Sequence, residues 1–129
     1  MKRVLLCDDE IHIIRAAEFK LARAGYEVEC ASDGEAGWQA IERQRPDLLV
    51  TDCQMPRLSG LGLIERIRSR PELCDLPIFM LTGKGLELPH DDLAAKWNVL
   101  AVIGKPFSPK DLLTRIDGVL NGRVCEPAT

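Results

Sequence analysis

Five short runs of apolar residues alternate along this chain with segments of helical periodicity. The apolar runs cover residues 4–7, 26–31, 48–51, 77–82 and 99–103. Runs of this length, rich in Val, Ile and Leu, are typical of strands that are buried on both faces of a parallel sheet. Between them, apolar residues recur every three or four positions, which indicates helices. The pattern therefore predicts five strands alternating with five helices.

Capping residues and helix breakers mark the ends of the predicted helices. Ser32 has capping-box spacing with Glu35 and is expected to begin the second helix. Ser108, followed by Pro109, is expected to begin the last one. The predicted helices cover about residues 11–24, the segment from Ser32 to Pro46, the segment from Leu63 to Pro71, a short stretch near 89–97, and the segment from Ser108 to Asn121.

Strict alternation of strands and helices predicts an α/β fold. We expect a doubly wound, five-stranded parallel sheet with helices on both faces and right-handed crossovers. The matching arrangement is the flavodoxin-like (βα)5 fold, with strand order 2-1-3-4-5. A single domain is expected over residues 1–122, followed by a short, disordered C-terminal tail at 123–129.

Composition and charge argue against several classes of function. The 129 residues are 46% hydrophobic and carry a net charge of −3, with the basic residues scattered along the chain. A surface that binds nucleic acid or anionic membrane needs clustered basic residues, so we expect neither partner. No apolar run approaches the ~18 residues of a membrane span, and Asp8 interrupts any signal-peptide core, so a cytoplasmic protein is expected.

The five cysteines are odd in number and include no C-x-x-C pair. We therefore expect reduced thiols that pack as small hydrophobic side chains. The two histidines, His12 and His90, have no partner at ligand spacing, which argues against a zinc site.

Polar residues follow the carboxyl ends of four predicted strands. They are Asp8 and Asp9 after the first strand, Asp52 after the third, Thr82 after the fourth and Lys105 after the fifth. In the predicted strand order these four strands are neighbours, so the side chains should converge at one edge of the sheet. Three carboxylates at such short distances repel one another unless a cation binds between them. Carboxylate oxygens as ligands favour Mg2+ as this cation. A carboxylate beside such a metal can attack a phosphoryl group, and Asp52 is the candidate nucleophile.

These segments resemble a known family, the CheY-like receiver domain of bacterial two-component and phosphorelay response regulators. The resemblance rests on VLLCDDE at residues 4–10, TDCQMP at 51–56, LTG at 81–83 and KPF at 105–107. It covers residues 3 to about 121, and the separations between the motifs are similar to those of the family.

The resemblance implies that Asp52 accepts a phosphoryl group from the phosphohistidine of a sensor histidine kinase or a histidine phosphotransfer protein. It also implies a Mg2+ site formed by Asp9, Asp52 and the backbone carbonyl of Gln54, with Asp8 holding a metal-bound water. Lys105 would then pair with the phosphoryl oxygens.

Three further expectations concern the switch. By resemblance, Thr82 would move inward to hydrogen-bond a phosphoryl oxygen, and the peptide bond before Pro106 would be cis. Val102 stands where the family usually has Tyr or Phe, so we hypothesise that the signal passes through loop 83–88 and the helix near 89–97. A second hypothesis is that Lys84 places a second cation at the mouth of the site.

The resulting prediction is a stand-alone, Mg2+-dependent signalling switch that acts by binding other proteins and is not an enzyme for an external substrate. The sequence names neither the kinase nor the downstream target, and it leaves a weak homodimer open. One alternative is a Mg2+-dependent phosphohydrolase with an aspartyl-phosphate intermediate; that class has Asp two residues after the nucleophile, where this chain has Gln54. Another is a receiver-like adaptor that needs no phosphorylation, against which the complete set of site residues argues.

Overall fold

The computed structural model describes residues 2–83 and 98–121 of the chain. Within these ranges the elements are β1 (Arg3–Cys7), α1 (Ile11–Arg23), β2 (Glu27–Ala31), α2 (Gly34–Arg43), β3 (Leu48–Asp52), α3 (Gly60–Arg68), a 3-10 turn (Pro71–Leu73), β4 (Ile78–Thr82), β5 (Ala101–Gly104) and α4 (Pro109–Leu120). The helix predicted near 89–97, Lys84, His90, Cys125 and the tail predicted at 123–129 lie outside the described residues.

The five strands form one parallel sheet in the order β2-β1-β3-β4-β5, which confirms the predicted fold class and strand order. Their register brings the carboxyl ends level with one another. Cys7 lies beside Thr51, Asp52 beside Leu81, and Thr82 beside Gly104. Residues that follow β1, β3, β4 and β5 therefore meet at one edge of the sheet.

Two hydrophobic layers cover the faces of the sheet. Along β1, Leu5 and Cys7 face the layer beneath α2 and α3, whereas Val4 and Leu6 face the layer beneath α1 and α4. Successive side chains of a strand point to opposite faces, so a strand with a core on each side must be apolar at every position. This double burial explains the continuous apolar runs in the sequence.

The residue that begins α2 differs from the prediction. Asp33, and not Ser32, is the N-cap, and its Oδ1 accepts a hydrogen bond of 2.8 Å from the backbone amide of Ala36. Both residue types cap helices well. Asp33 also pairs through its second oxygen, Oδ2, which lies 2.8 Å from Nη1 of Arg57, a contact that Ser32 could not make as an ion pair.

The last helix begins as predicted, with Ser108 accepting a hydrogen bond from the amide of Asp111 and Pro109 in the first turn. The fifth strand, in contrast, was predicted at 99–103 and is observed at Ala101–Gly104. The apolar residue Val99 is buried in the core without being part of the strand.

The predicted packing of the cysteines is half right. Cys7 and Cys53 are buried, but Cys30 and Cys74 are exposed. Cys30 lies on β2, an edge strand with little burial, and Cys74 directly follows the 3-10 turn. Among the described helices, none combines the length and apolar character needed to cross a bilayer.

Candidate functional site

Two buried carboxylates lie at the centre of the sheet edge. Asp8 directly follows β1 and Asp52 is the last residue of β3. Backbone hydrogen bonds to neighbouring strands hold the chain at both points: the amide of Asp8 donates to the carbonyl of Ala31 at 3.1 Å, and the amide of Cys53 donates to that of Leu81 at 3.0 Å. The main chain of the sheet thus positions both side chains.

The ammonium group of Lys105 lies among three carboxylates. Its Nζ is 2.7 Å from Oε1 of Glu10, 2.8 Å from Oδ2 of Asp8 and 3.0 Å from Oδ2 of Asp52. The backbone amide of Lys105 donates to the carbonyl of Thr82 at 2.8 Å, and the Lys105–Pro106 peptide bond is cis, as expected. Burial lowers the pKa of Lys105, but its hydrogen bonds to the carboxylates outweigh burial and leave the pKa raised.

One ammonium does not satisfy this group of acids. Burial raises the pKa of Asp8 above its ordinary value, despite the nearby Lys105. Its Oδ1 accepts a 2.9 Å hydrogen bond from the amide of Glu10, and its buried Oδ2 is paired with the ammonium of Lys105 at 2.8 Å. Among the described residues this ammonium is shared by three carboxylates, so net negative charge remains and the site favours a further positive charge.

The donor set fits a hard divalent cation. Asp8, Glu10 and Asp52 each present a carboxylate oxygen, and these oxygens lie within 4.8 Å of one another. Oxygen ligands with excess negative charge suit Mg2+ or Ca2+ and are a poor match for zinc. The fit rests on these three anionic groups, which share a single ammonium in the part of the chain that the structure describes.

A cleft of about 450 Å³ opens above these groups. Its walls are formed by Asp9, Glu10, Asp52, Gln54, Met55, Gly83 and Lys105. The sequence-predicted residues Asp9 and Gln54 are therefore at the cleft, both with exposed side chains. Thr82 ends β4 and is buried nearby, but Gly83 is the residue that forms the cleft wall at this point.

Glu10 is the site residue that the sequence analysis passed over. It entered there only as the last residue of the motif VLLCDDE, yet it makes the shortest of the three carboxylate contacts with Lys105. The sequence signal that could have found Glu10 is its position directly before the predicted first helix. Glu is a weak helix-capping residue, and here it occupies the N-cap of α1 without making a capping hydrogen bond.

The loop that carries Gln54 is held against α2 and β3. Arg57, which adopts a φ of 69°, forms the ion pair with Asp33 at the start of α2. Gly34 and Gly60 allow close approach at the two ends of the loop, since a Cβ at either would lie 1.9 Å from the carbonyl oxygen of Leu58 or Asp52. The hydrogen bond from Ala36, together with Arg57, keeps the pKa of Asp33 low.

Val102 lies half-buried on β5 and packs against the layer beneath α2 and α3. It is therefore an apolar packing residue at the position where the resemblance leads one to expect an aromatic ring. Loop 83–88 beyond Gly83 and the helix near 89–97, through which the switching hypothesis runs, lie outside the described residues.

Comparison with known proteins gives a consistent result. The family model described as the response regulator receiver domain matches residues 4–117. The alkaline phosphatase synthesis transcriptional regulatory protein PhoP of Bacillus subtilis is 35% identical over 127 residues, which cover 92% of this chain and 48% of that protein. The chain thus spans about half the length of the curated relatives it matches.

Solved structures resemble the chain over nearly its whole length. The chemotaxis protein CheY4 of Vibrio cholerae superposes with a TM-score of 0.83 at 30% identity, covering 93% of this chain and 99% of CheY4. A CheY-like receiver domain protein of Methanospirillum hungatei gives a TM-score of 0.83 at 31% identity, covering 95% of each chain.

Proposed function

Since this chain belongs to the response regulator receiver domain family, we propose that it is a signalling switch that accepts a phosphoryl group on Asp52. Receiver domains are signalling modules that take phosphoryl groups from histidine kinases and act on downstream targets. The observation that carries the proposal is the position of Asp52, buried at the base of an open cleft with its Oδ2 at 3.0 Å from the ammonium of Lys105.

The proposed step is an attack by a carboxylate oxygen of Asp52 on the phosphorus of a phosphohistidine. The new O–P bond forms as the P–N bond breaks, and the imidazole leaves with the electron pair. Lys105 is close enough to neutralise negative charge on the phosphoryl oxygens. Water later cleaves the acyl phosphate, which returns the Asp52 carboxylate and inorganic phosphate, so the chemistry acts on the protein itself.

Receiver domains generally bind Mg2+ at an acidic site. Here Asp9, Asp52 and the backbone carbonyl of Gln54 would hold the ion, with Asp8 binding one of its waters, and the cleft walls include three of these four residues. When bound, Mg2+ supplies positive charge that stabilises the transferring phosphoryl group. The carboxylate of Glu10 would lie close to the ion, because one of its oxygens is within 4.8 Å of oxygens of Asp8 and Asp52.

For partners, we propose a sensor histidine kinase or a histidine phosphotransfer protein as donor and a further protein as target. Thr82, at the end of β4, is the residue proposed to bond a phosphoryl oxygen, and it shares a hydrogen bond with the backbone of Lys105. A structural change at Asp52 could thus be passed to the carboxyl ends of both β4 and β5. With Val102 in place of an aromatic ring, the backbone rather than a rotating ring would carry the change.

Incubation with Mg2+ and acetyl phosphate, read by intact mass, tests the proposal. We expect the wild-type protein to gain about 80 Da, the mass of one phosphoryl group, and Asp52→Asn to gain nothing. The matched control is Asp75→Asn, which changes a highly exposed carboxylate remote from the site and should be modified like the wild type. An unmodified wild-type protein, or a modified Asp52→Asn, would show that Asp52 is not the acceptor.

A further inference from the structure

We propose that Glu10 is a positioning residue that holds Lys105 in the unphosphorylated protein and so restrains the uptake of a phosphoryl group. This inference rests on the proposed function of Asp52. It starts from the contact between Oε1 of Glu10 and Nζ of Lys105, at 2.7 Å. The family resemblance assigned no role to this glutamate.

The local backbone shows that the side chain of Glu10 is directed to Lys105 and not to the helix. Glu10 is the N-cap of α1, with φ −91° and ψ 97°, but its carboxylate makes no capping hydrogen bond. Its amide donates to Oδ1 of Asp8 at 2.9 Å, which ties Glu10 to the carboxylate beside Lys105. The residue is therefore held where its side chain reaches the ammonium group.

Burial distinguishes Glu10 from the other two partners of Lys105. The side chains of Asp8 and Asp52 are 2% and 8% exposed, whereas that of Glu10 is 58% exposed. An exposed carboxylate that loses its ion pair is rehydrated at little cost, while a buried one is not. Of the three contacts, the one with Glu10 is thus the easiest to give up.

A phosphoryl group on Asp52 would compete for the same ammonium. Its oxygens carry more negative charge than the carboxylate they replace, and they would be repelled by Glu10 at the rim of the site. The contact between Glu10 and Lys105 therefore stabilises the unphosphorylated form more than the phosphorylated one. Removing this contact should lower the barrier to uptake.

The first measurement is the rate of phosphorylation by acetyl phosphate at saturating Mg2+. We expect Glu10→Gln to react about two- to fivefold faster than the wild type, the range that follows from losing one partly exposed ion pair. Glu10→Asp keeps the charge but is one methylene shorter, so it should also be faster. Glu65→Gln removes one charge from an exposed site on α3 and should match the wild type.

The second measurement is the NMR signal of the Lys105 side-chain NH3+ group in protein carrying 15N-labelled lysine, assigned with Lys105→Arg. We expect this signal to shift or broaden in Glu10→Gln and Glu10→Asp and to stay unchanged in Glu65→Gln. An unchanged signal, or a Glu10→Asp variant that reacts at the wild-type rate, overturns the role of the contact. A wild-type protein that takes up no phosphoryl group overturns the proposed function, and with it the proposed effect of Glu10 on uptake. In that case the NMR signal still decides whether Glu10 holds Lys105.

Discussion

Two charged clusters lie at opposite ends of β1, and they differ in their balance of charge. The amino-end cluster contains two cations and two anions, Arg3 and Arg43 with Glu27 and Glu29. Among the residues that the structure describes, the site cluster contains one cation and three anions, Lys105 with Asp8, Glu10 and Asp52. The same strand therefore begins in a neutral group of side chains and ends in a strongly negative one.

Burial makes this difference consequential. In the amino-end cluster, Arg43 and Glu27 are at least half exposed, so water completes their solvation. In the site cluster, the side chains of Asp8, Asp52 and Lys105 are almost fully buried. Negative charge on buried side chains such as Asp8 and Asp52 is costly, and the fold maintains it where a phosphoryl group and a metal are proposed to bind.

Removing the one cation of the site cluster should give the largest effect on stability. We expect Lys105→Met to lose about 2–4 kcal/mol of the free energy of unfolding at pH 7 without divalent metal, because Asp8 and Asp52 stay buried and lose the cation that pairs with both. Urea unfolding measures the loss, and lowering the pH should recover part of it as a carboxylate takes up a proton.

The matched control for Lys105→Met is Lys110→Met, at an exposed position on α4, which should change stability by less than about 0.5 kcal/mol. If Lys105→Met unfolds at the same urea concentration as this control, the site cluster is not the strained group that the comparison describes.

Removing one anion from the site cluster should stabilise the protein. Burial raises the pKa of Asp8 in the folded state, so the folded protein holds that proton more tightly than the unfolded chain. The stabilising contribution of the protonated form is present below the unfolded pKa and is lost as the pH rises through the folded pKa. At neutral pH the ionised Asp8 is therefore a net cost, and Asp8→Asn should gain about 1 kcal/mol.

Urea unfolding of Asp8→Asn and of the wild type between pH 4 and pH 7, without divalent metal, measures this effect. The wild type should lose stability relative to the variant as the pH rises. A difference that stays constant with pH would show that the gain comes from packing and not from the charge of Asp8.

The amino-end cluster should give the smallest effect. In Arg3→Gln, Glu29 keeps Arg43 as a partner and Glu27 is half exposed, so we expect a loss of about 0.5–1 kcal/mol that shrinks at high salt. Urea unfolding at low and high salt measures it, with Arg15→Gln, an exposed arginine on α1, as the control. A loss as large as that of Lys105→Met would remove the distinction between the two clusters.

Most of the fold followed from local patterns. The apolar runs predicted the strands because each strand is buried on both faces, and strand alternation predicted the parallel order. Asp52 and Lys105 were placed together from the same reasoning, since parallel strands end at one edge. The sequence did not distinguish Asp33 from Ser32 as the cap of α2, because both residue types cap helices well and the contact of Asp33 with Arg57 joins segments that are distant along the chain.

The sequence by itself determined which chemical groups stand at the strand ends: acids after β1 and β3, a hydroxyl at the end of β4 and an ammonium after β5. Only the tertiary structure decided which of these groups contact one another. Glu10, and not its neighbour Asp9, contacts Lys105, because the chain turns into α1 at that residue. Contacts of this kind join residues from opposite ends of the chain through the geometry of a turn, which the spacing of residues along a sequence does not encode.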